Sequence, residues 1–178
     1  MSADNPDLVT VVGIGASGWD DLGRTAQRAL TSAQVVLGSA RQLALLPPEV
    51  GARRTAWPSP LLPALPGLLR ENSGVVVLAS GDPMFHGIGA TLVRLVGADR
   101  VRVVPHPSSA ALAAARMGWP LATTEVVSLV TADPTTVRRA LNPGRRVLVL
   151  ARDAVTDSGS RSSCRGLPST TPAPASVR

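Results

Sequence analysis

A glycine-rich segment near the start of the chain has the spacing of a ligand-binding loop. Residues 13–18, GIGASG, follow a short apolar run and precede a stretch with helical spacing. Glycines here permit positive φ angles and let a ligand approach the backbone closely. A dinucleotide-binding loop also needs an acid about 20 positions on, at the end of the second strand. No acid follows that strand before Glu49. This disfavours an NAD-dependent oxidoreductase, and a plain tight turn is a further alternative.

A second motif, residues 80–83 with the sequence SGDP, directly follows the most strand-like segment of the chain. In open α/β sheets, ligands bind beyond the carboxyl ends of the strands. A turn formed by Ser80, Gly81 and Asp82 exposes backbone amides, a hydroxyl and a carboxylate at that edge. These groups suit the amino and carboxylate ends of an amino-acid-like cofactor. A plain β-turn is the alternative, because Gly, Asp and Pro are the commonest turn residues.

The residues that follow extend both the motif and the set of candidate side chains. SGDP continues as MFHGIG, in which two glycines open a helix. His86 can exchange a proton near neutral pH, or it can line the site or face solvent. Residues 105–109, PHPSS, place Ser108 and Ser109 at the start of another helix. One serine is expected to cap that helix, which leaves the other to contact a ligand.

Other chemistries lack the residues that they need. His86 and His106 have no second histidine, cysteine or acid at a metal-binding spacing, so no metal site is predicted. A serine hydrolase of the usual α/β type would need a G-x-S-x-G elbow, which the chain lacks. The single cysteine, Cys164, lies in a polar tail and is not a credible nucleophile. No residue is therefore assigned as catalytic.

The composition favours a cytoplasmic protein that binds neither nucleic acid nor membrane. The net charge of +6 comes from 18 arginines, with no lysine, against 12 acids, a pattern that reflects a GC-rich coding sequence. One Phe, three Trp and no Tyr offer few rings to stack on bases. No apolar run reaches the roughly 18–20 residues of a membrane span. The N-terminus lacks the pattern of a signal peptide, and one cysteine excludes an internal disulfide.

The elements that would position these motifs alternate between strands and helices. Apolar runs predict strands at 8–12, 35–37, 75–79, 101–104, 125–131 and 146–150. Helices are predicted at about 20–32, from Ser39 to Leu46, at 88–96, from Ser108 or Ser109 to Met117, and at about 135–141 behind an Asp133 cap and Pro134. Prolines predict a loop over 47–66, with at most a short helix at 68–71. The alternation predicts an α/β fold with largely parallel strands.

The end of the chain differs in kind from the rest. From Ala154 to Arg178, 14 of 25 residues are Ser, Thr, Gly or Pro, without apolar periodicity. Such a segment cannot bury enough surface to offset its ordering entropy, so it is predicted to be disordered. An α/β chain would normally continue after residue 150 into another helix and strand. A truncation or a shifted reading frame is therefore expected, with an ordinary flexible tail as the alternative.

Together these segments resemble the tetrapyrrole methylase family over about residues 8–150. GIG is similar to that family's first glycine loop, SGDPMFHGIG to its S-G-D-P-x-F-x-G-I-G loop, and PHPSSAALAAARMGW to its P-G-x-S-S helix start. Residues 36–43, VLGSARQL, resemble the V-V-G-G-x-R-x-L segment of the precorrin-6Y C5,15-methyltransferase branch. The chain departs from the family at Ala16, where proline is common, at His106, where glycine is usual, and at Val130, where many relatives have histidine.

The resemblance implies a fold with an N-terminal α/β domain at residues 1–104, an incomplete second α/β domain at 105–153 and the tail at 154–178. It implies a C-methyltransferase that binds S-adenosyl-L-methionine between the two domains and acts on precorrin-6Y in cobalamin biosynthesis. If the chain is truncated, little or no methyltransferase activity is expected of it. The cofactor contacts carried over by position are Ser80, Gly81, Asp82, Phe85, His86, Gly87, Ile88, Ser108 and Ser109. The precorrin, which is edged with carboxylates, would contact Gly13, Gly15, Ala16 and Arg41.

The resemblance also implies partners and leaves alternatives. This branch couples methylation to a decarboxylating methyltransferase activity, which is fused or supplied as a separate subunit. Related folds tend to dimerise, so a homodimer is open. The alternatives are a methylase of the same fold that acts on another precorrin or on a ribosomal RNA ribose, and a non-catalytic remnant, which the tail favours.

Overall fold

The structure, a computed structural model, describes residues 8–130, 133 and 135–151. The chain divides into two compact units, one that ends at Ser108 and one that begins at Ser109. In both units parallel strands alternate with helices, which confirms the predicted parallel α/β fold. The predicted disordered tail, 154–178, lies outside the described residues.

The first unit is built on five strands that all run parallel. They are β1 (Val9–Ile14), β2 (Val35–Gly38), β3 (Arg53–Ala56), β4 (Val75–Ser80) and β5 (Val101–Val104). Their order in the sheet is β3-β2-β4-β1-β5. The central strands β2, β4 and β1 are buried along almost their whole length, as expected for apolar runs covered on both faces.

Helices cover both faces of this sheet. The helices α1 (Arg24–Thr31) and α2 (Ala40–Ala44) lie on one face, and α3 (Leu61–Arg70) and α4 (Ile88–Val96) lie on the other. Alternate strand residues face the two layers, so that Val12 packs with Leu30 of α1 whereas Val11 packs with Leu65 of α3. The first unit therefore has two apolar layers with the sheet between them.

The order of the strands places a topological switch point between β1 and β4. These strands are neighbours, with Ile14 opposite Ser80 at their carboxyl ends. The chain leaves β1 towards α1 on one face and leaves β4 towards α4 on the other. In open α/β sheets, the crevice beyond two strands whose connections diverge in this way is where ligands bind. We refer to the side of the sheet that holds the carboxyl ends of its strands as the carboxyl edge.

The second unit has a small core of its own. It contains α5 (Ser109–Met117), β6 (Thr124–Ser128), α6 (Thr136–Ala140) and β7 (Arg146–Leu150). The strands β6 and β7 pair in parallel. The alanines of α5 pack with Leu148 on one face of this pair, and Val137 of α6 packs with Val127 on the other.

The predicted helix over 20–32 is wrong in its first part. Residues Gly18–Asp21 form a short 3-10 turn, and α1 begins only at Arg24. Between them Leu22 and Gly23 have extended backbone, with ψ angles of 129° and 155°. The extended backbone allows Leu22 to enter the core, where it is 6% exposed. Asp20 and Asp21 therefore lie in the turn rather than in the first turn of α1.

The predicted loop over 47–66 contains the edge strand β3 and most of α3. The strand is largely exposed and forms through backbone pairing with β2. Because it lacks an apolar pattern, the sequence did not predict it. The guanidinium of Arg54 donates to the carbonyl of Leu43 in α2 and to those of Leu46 and Pro47, which follow the helix. Helix α3 contains Pro66 in its interior, and burial of Leu65 at 1% exposure outweighs that proline's cost.

Two smaller differences occur in the second unit. Strand β6 ends at Ser128, before the predicted limit of Thr131. Helix α6 begins at Thr136 with Thr135 as its cap, two residues after the predicted Asp133 cap. The hydroxyl and backbone N–H of Thr135 both donate to the Asp133 carboxylate and lower its pKa. Asp133 thus forms a turn that leads into the helix, and Pro134 lies outside the described residues.

Candidate functional site

The first glycine loop and the SGDP turn lie side by side at the carboxyl edge. The backbone N–H of Gly81 donates to the carbonyl of Ile14 at 3.0 Å, which extends the pairing of β1 and β4 by one step. Gly81 has a φ of 62°, in the left-handed region that favours glycine. Residues that are far apart in the sequence therefore meet at the switch point.

Gly13 is the point where three loops converge. A Cβ atom placed on Gly13 would lie 2.2 Å from the carbonyl oxygen of Gly81 and 2.7 Å from the backbone nitrogen of His106. Residue 106 belongs to the loop that follows β5. The end of β1 and the backbones that follow β4 and β5 thus approach within a distance that only glycine permits, which brings together segments that the sequence singled out separately.

The imidazole of His106 lies against the first glycine loop. A Cβ atom on Gly15 would lie 2.7 Å from Cε1 of that ring. The ring's Nδ1 is 3.3 Å from the carbonyl oxygen of Pro107. His106 stands where the sequences that this chain resembles usually have glycine. Its side chain covers Gly15, beside the exposed Ala16.

The contact between Gly15 and His106 predicts a compensating pair of substitutions. Gly15→Ala is expected to lower the free energy of unfolding by about 1 kcal/mol, because the new methyl group overlaps the end of the imidazole, which has to turn aside. His106→Ala in the same chain removes the overlapping ring and should restore most of that loss. Urea denaturation of both single variants and the double variant measures the coupling. An equal loss from Gly15→Ala with and without the ring would contradict the contact.

The two carboxylate oxygens of Asp82 have different surroundings: one holds the turn together and the other has no hydrogen-bond donor among the described residues. Its Oδ1 accepts a hydrogen bond from the backbone N–H of Met84 at 2.8 Å, which forms the turn. The interpretation as a turn-forming residue is therefore correct for this oxygen. Within the described part of the chain, Oδ2 accepts no hydrogen bond, and the side chain is half-buried at the carboxyl edge. A carboxylate oxygen thus remains to meet a cationic or hydrogen-bond-donating group of a ligand.

The segment between this turn and α4 is held close to it by glycines. Added Cβ atoms on Gly87 and Gly89 would lie 2.6 and 2.7 Å from the carbonyl oxygen of Pro83. Phe85 and His86 are exposed and contact each other edge to face, with ring centroids 4.7 Å apart. His86 has a φ of 58°, which is uncommon for a residue with a side chain.

Ile88, the last residue of the predicted cofactor loop, differs from its neighbours. It begins α4 and packs against the apolar layer that contains Leu65 and Leu92. Its side chain therefore packs in the core, and its predicted contact with the cofactor stays a prediction. Phe85 and His86 are the members of this segment whose side chains are exposed.

The segment VLGSARQL adds residues of α2 to the same edge. Arg41 lies in the first turn of α2 and is exposed, which leaves its guanidinium able to meet a carboxylate. Ser39 and Gln42 form a capping box, in which each side chain accepts from the other residue's backbone N–H. Gln42 also donates to the hydroxyl of Ser80 at 3.0 Å. Sequence analysis missed Gln42, although S-x-x-Q at the start of a helix is a recognisable capping signal.

The two predicted serines fall on either side of the boundary between the units. Ser108 ends the first unit and is half-buried, and Ser109 begins α5 in the second unit. Ser108 takes the position before the first helical residue, which is the position of an N-cap. The role of both serines at a ligand stays a prediction.

The residues that the structure describes contain no group of three or more His, Cys, Asp or Glu side chains that could hold a metal ion. None of the helices described is long and apolar enough to cross a membrane. A cavity of about 710 Å³ lies at the opposite edge of the sheet, lined in part by Val9, Arg70 and Val75. It contains no predicted site residue, and ligands of open α/β sheets bind at the carboxyl edge instead.

Comparison with known proteins gives a consistent set of relatives. The model of the tetrapyrrole (corrin/porphyrin) methylases matches residues 8–158. The chain is 51% identical over 150 residues to the precorrin-6Y C(5,15)-methyltransferase [decarboxylating] of Mycobacterium tuberculosis H37Rv. That match covers 84% of this chain and 37% of the relative, so the chain spans well under half of the relative's length.

Solved structures show the same similarity. The precorrin-6Y methylase of Archaeoglobus fulgidus, a cobalamin biosynthesis protein, superposes with a TM-score of 0.64 and 26% identity over 82% of this chain and 73% of its own. The uroporphyrin-III C-methyltransferase of Thermus thermophilus, in complex with S-adenosyl homocysteine, has a TM-score of 0.50 and 30% identity. This second match covers 68% of this chain and 55% of the other.

Proposed function

Because the chain belongs to the tetrapyrrole (corrin/porphyrin) methylase family, we propose that it is an S-adenosylmethionine-dependent C-methyltransferase that acts on precorrin-6Y in cobalamin biosynthesis. The observation that carries this proposal is the 51% identity, across 84% of the chain, to a protein named for that reaction. The convergence of three loops at Gly13 supports it, because Gly13, a predicted substrate residue, lies against Gly81, a predicted cofactor residue.

The groups at the carboxyl edge fit a cofactor that carries an amino acid. Backbone passes so close around Gly13 that no side chain can intervene. The exposed hydroxyl of Ser80 and Oδ2 of Asp82 stand beside the left-handed Gly81. We assign to them the polar end of S-adenosylmethionine, with Phe85, His86 and the backbone of Gly87 as further contacts. Ser108 and Ser109 complete the proposed set.

Methyl transfer depends mainly on aligning the methyl group with the carbon that attacks it. When bound, S-adenosylmethionine supplies an electrophilic methyl group, and the attacking carbon belongs to the precorrin. The protein's residues bind, orient and exclude water, and correct orientation can contribute about 7–11 kcal/mol to lowering a barrier. No general base is assigned, since His86 and His106 have no carboxylate partner among the described contacts.

We place the precorrin on the other side of the crevice. Its carboxylates would meet Arg41, and its ring would lie against the first glycine loop, Gly13, Gly15 and Ala16, of which Ala16 is exposed. The domain division at residues 104 and 105 is proposed on the same resemblance. A decarboxylating methyltransferase subunit is the proposed partner, and a homodimer is the proposed assembly.

Two measurements on the 178-residue chain test this function. Calorimetry should show binding of S-adenosylmethionine and S-adenosylhomocysteine and no binding of NAD. Labelled methyl should then pass from S-adenosylmethionine to precorrin-6Y, beside a full-length relative as the standard. Binding of NAD without S-adenosylmethionine would overturn the proposal. Cofactor binding with transfer to a different precorrin would keep the methyltransferase and replace the substrate.

A further inference from the structure

Gln42 is a buried polar side chain at the carboxyl edge. It is 9% exposed, and among the described residues the other buried polar side chain is Thr124 of the second unit. Burial of a side-chain amide is unfavourable unless its groups are hydrogen-bonded. Both ends of the Gln42 amide are bonded: Oε1 accepts from the backbone N–H of Ser39 at 2.8 Å, and Nε2 donates to Oγ of Ser80 at 3.0 Å.

The two hydrogen-bond partners of Gln42 allow its side-chain amide only one orientation. A backbone N–H can only donate, so the atom of Gln42 that faces Ser39 must be the oxygen. The nitrogen must then face Ser80, whose hydroxyl is therefore the acceptor of this bond. Gly38 leaves space for this arrangement, because a Cβ atom there would lie 3.2 Å from Oε1.

The orientation of the amide decides which way the Ser80 hydroxyl can act. A serine hydroxyl has one proton to donate and can accept on its lone pairs. Since Ser80 accepts from Gln42, its proton points elsewhere, and Ser80 is exposed at the switch point. Helix capping needs only the Ser39 half of the contact. The bond to Ser80, which spans 38 residues of sequence, has no part in the cap.

We propose that Gln42 is a positioning residue, which makes the Ser80 hydroxyl a donor to an acceptor oxygen of the bound cofactor. This assignment rests on the proposed function, because it takes the ligand at Ser80 to be S-adenosylmethionine. The bond from Gln42 links the segment VLGSARQL to the SGDP turn. It also fixes the hydrogen-bonding role of Ser80, whose hydroxyl then donates to an acceptor on the ligand.

A double-mutant cycle with Gln42→Glu and Ser80→Ala tests the assignment. A carboxylate at position 42 still accepts from Ser39, and it also accepts from Ser80, which draws the serine proton away from the ligand. Gln42→Glu should weaken binding of S-adenosylmethionine about tenfold or more, which is the scale of losing one hydrogen bond to a charged ligand. In the Ser80→Ala background the same change should alter affinity less than about twofold.

Controls separate positioning from folding. Ser39→Ala removes the hydroxyl of the cap but keeps the backbone N–H, so it should lower the melting temperature by about 2–4 °C and leave cofactor affinity unchanged. The cycle also cancels the effect of the new charge itself, which is present in both backgrounds. Should Gln42→Glu fail to fold, Gln42→Met, which has no donor, takes its place in the cycle.

The outcomes distinguish the two proposals. Loss of affinity that disappears without the Ser80 hydroxyl supports the positioning role. Equal losses with and without that hydroxyl overturn the role of Gln42 and leave the proposed function standing. Failure of the unchanged chain to bind S-adenosylmethionine overturns the proposed function, and the assignment of Gln42 with it.

Discussion

Gly13→Ala is expected to lower the free energy of unfolding by about 3 kcal/mol or more and to abolish cofactor binding. The new methyl group would lie 2.2 Å from the Gly81 carbonyl oxygen and 2.7 Å from the His106 nitrogen. Both atoms belong to backbone, so no side-chain rotation relieves the overlap. Overpacking usually costs about 1–3 kcal/mol, and a rigid site exceeds that range. Such a loss is a large part of the roughly 5–15 kcal/mol that stabilises a typical domain.

Urea denaturation and calorimetry with S-adenosylmethionine measure the two effects. Gly51→Ala is the matched control, because a Cβ atom there meets nothing within 4 Å and the residue is exposed. It should change stability by no more than about 0.5–1 kcal/mol. If Gly13→Ala were as well tolerated as Gly51→Ala, the three loops would not converge as described.

Asp82→Asn is expected to weaken binding of S-adenosylmethionine about 10- to 100-fold while leaving stability within about 1 kcal/mol of the unchanged chain. The asparagine side-chain oxygen can still accept from Met84, so the turn is kept. The substitution removes the charge of the unoccupied oxygen. Losing a hydrogen bond to a charged group costs about 1.5–3 kcal/mol, which corresponds to this range of affinity. Asp82→Ala should lose both the affinity and part of the turn's stability.

Calorimetry on three further variants sharpens this test. Asp99→Asn makes the same change of charge in the short turn before β5, at the other edge of the sheet, and should leave affinity unchanged. His86→Ala and His86→Asn should both weaken binding less than Asp82→Asn, and asparagine also tolerates the left-handed backbone of that position. Equal affinity of the unchanged chain and Asp82→Asn would remove this carboxylate from the site.

Much of the first sheet follows from local patterns. Runs of β-branched and aliphatic residues predict β1, β2, β4 and β5 within two residues, and helical spacing predicts α4 at its observed bounds. Glycines and short polar residues directly after β1 and β4 place the candidate site at the carboxyl edge. These signals work because burial on both faces of a sheet demands apolar residues and the loops after it demand small or polar ones.

Two elements have residue types that are unusual for their conformation, and only the tertiary structure reveals them. Strand β3 is exposed and rich in arginine, and it exists because β2 offers it backbone partners. Helix α3 contains two prolines and is held by packing of Leu65 in the layer that also contains Leu92. Pairing at a sheet edge and burial against distant residues leave no local pattern that would reveal either element in advance.

The candidate site divides in the same way. Its motifs were visible one by one, and their roles at a ligand stay predictions. Their convergence at Gly13, the cover that His106 places over Gly15 and the bond from Gln42 to Ser80 became apparent only in three dimensions. Residue types and spacing along the chain determine which groups can do chemistry. Which of those groups touch depends on strand order, since β4 is inserted between β1 and β2 and brings the SGDP turn between two loops that precede it in the sequence.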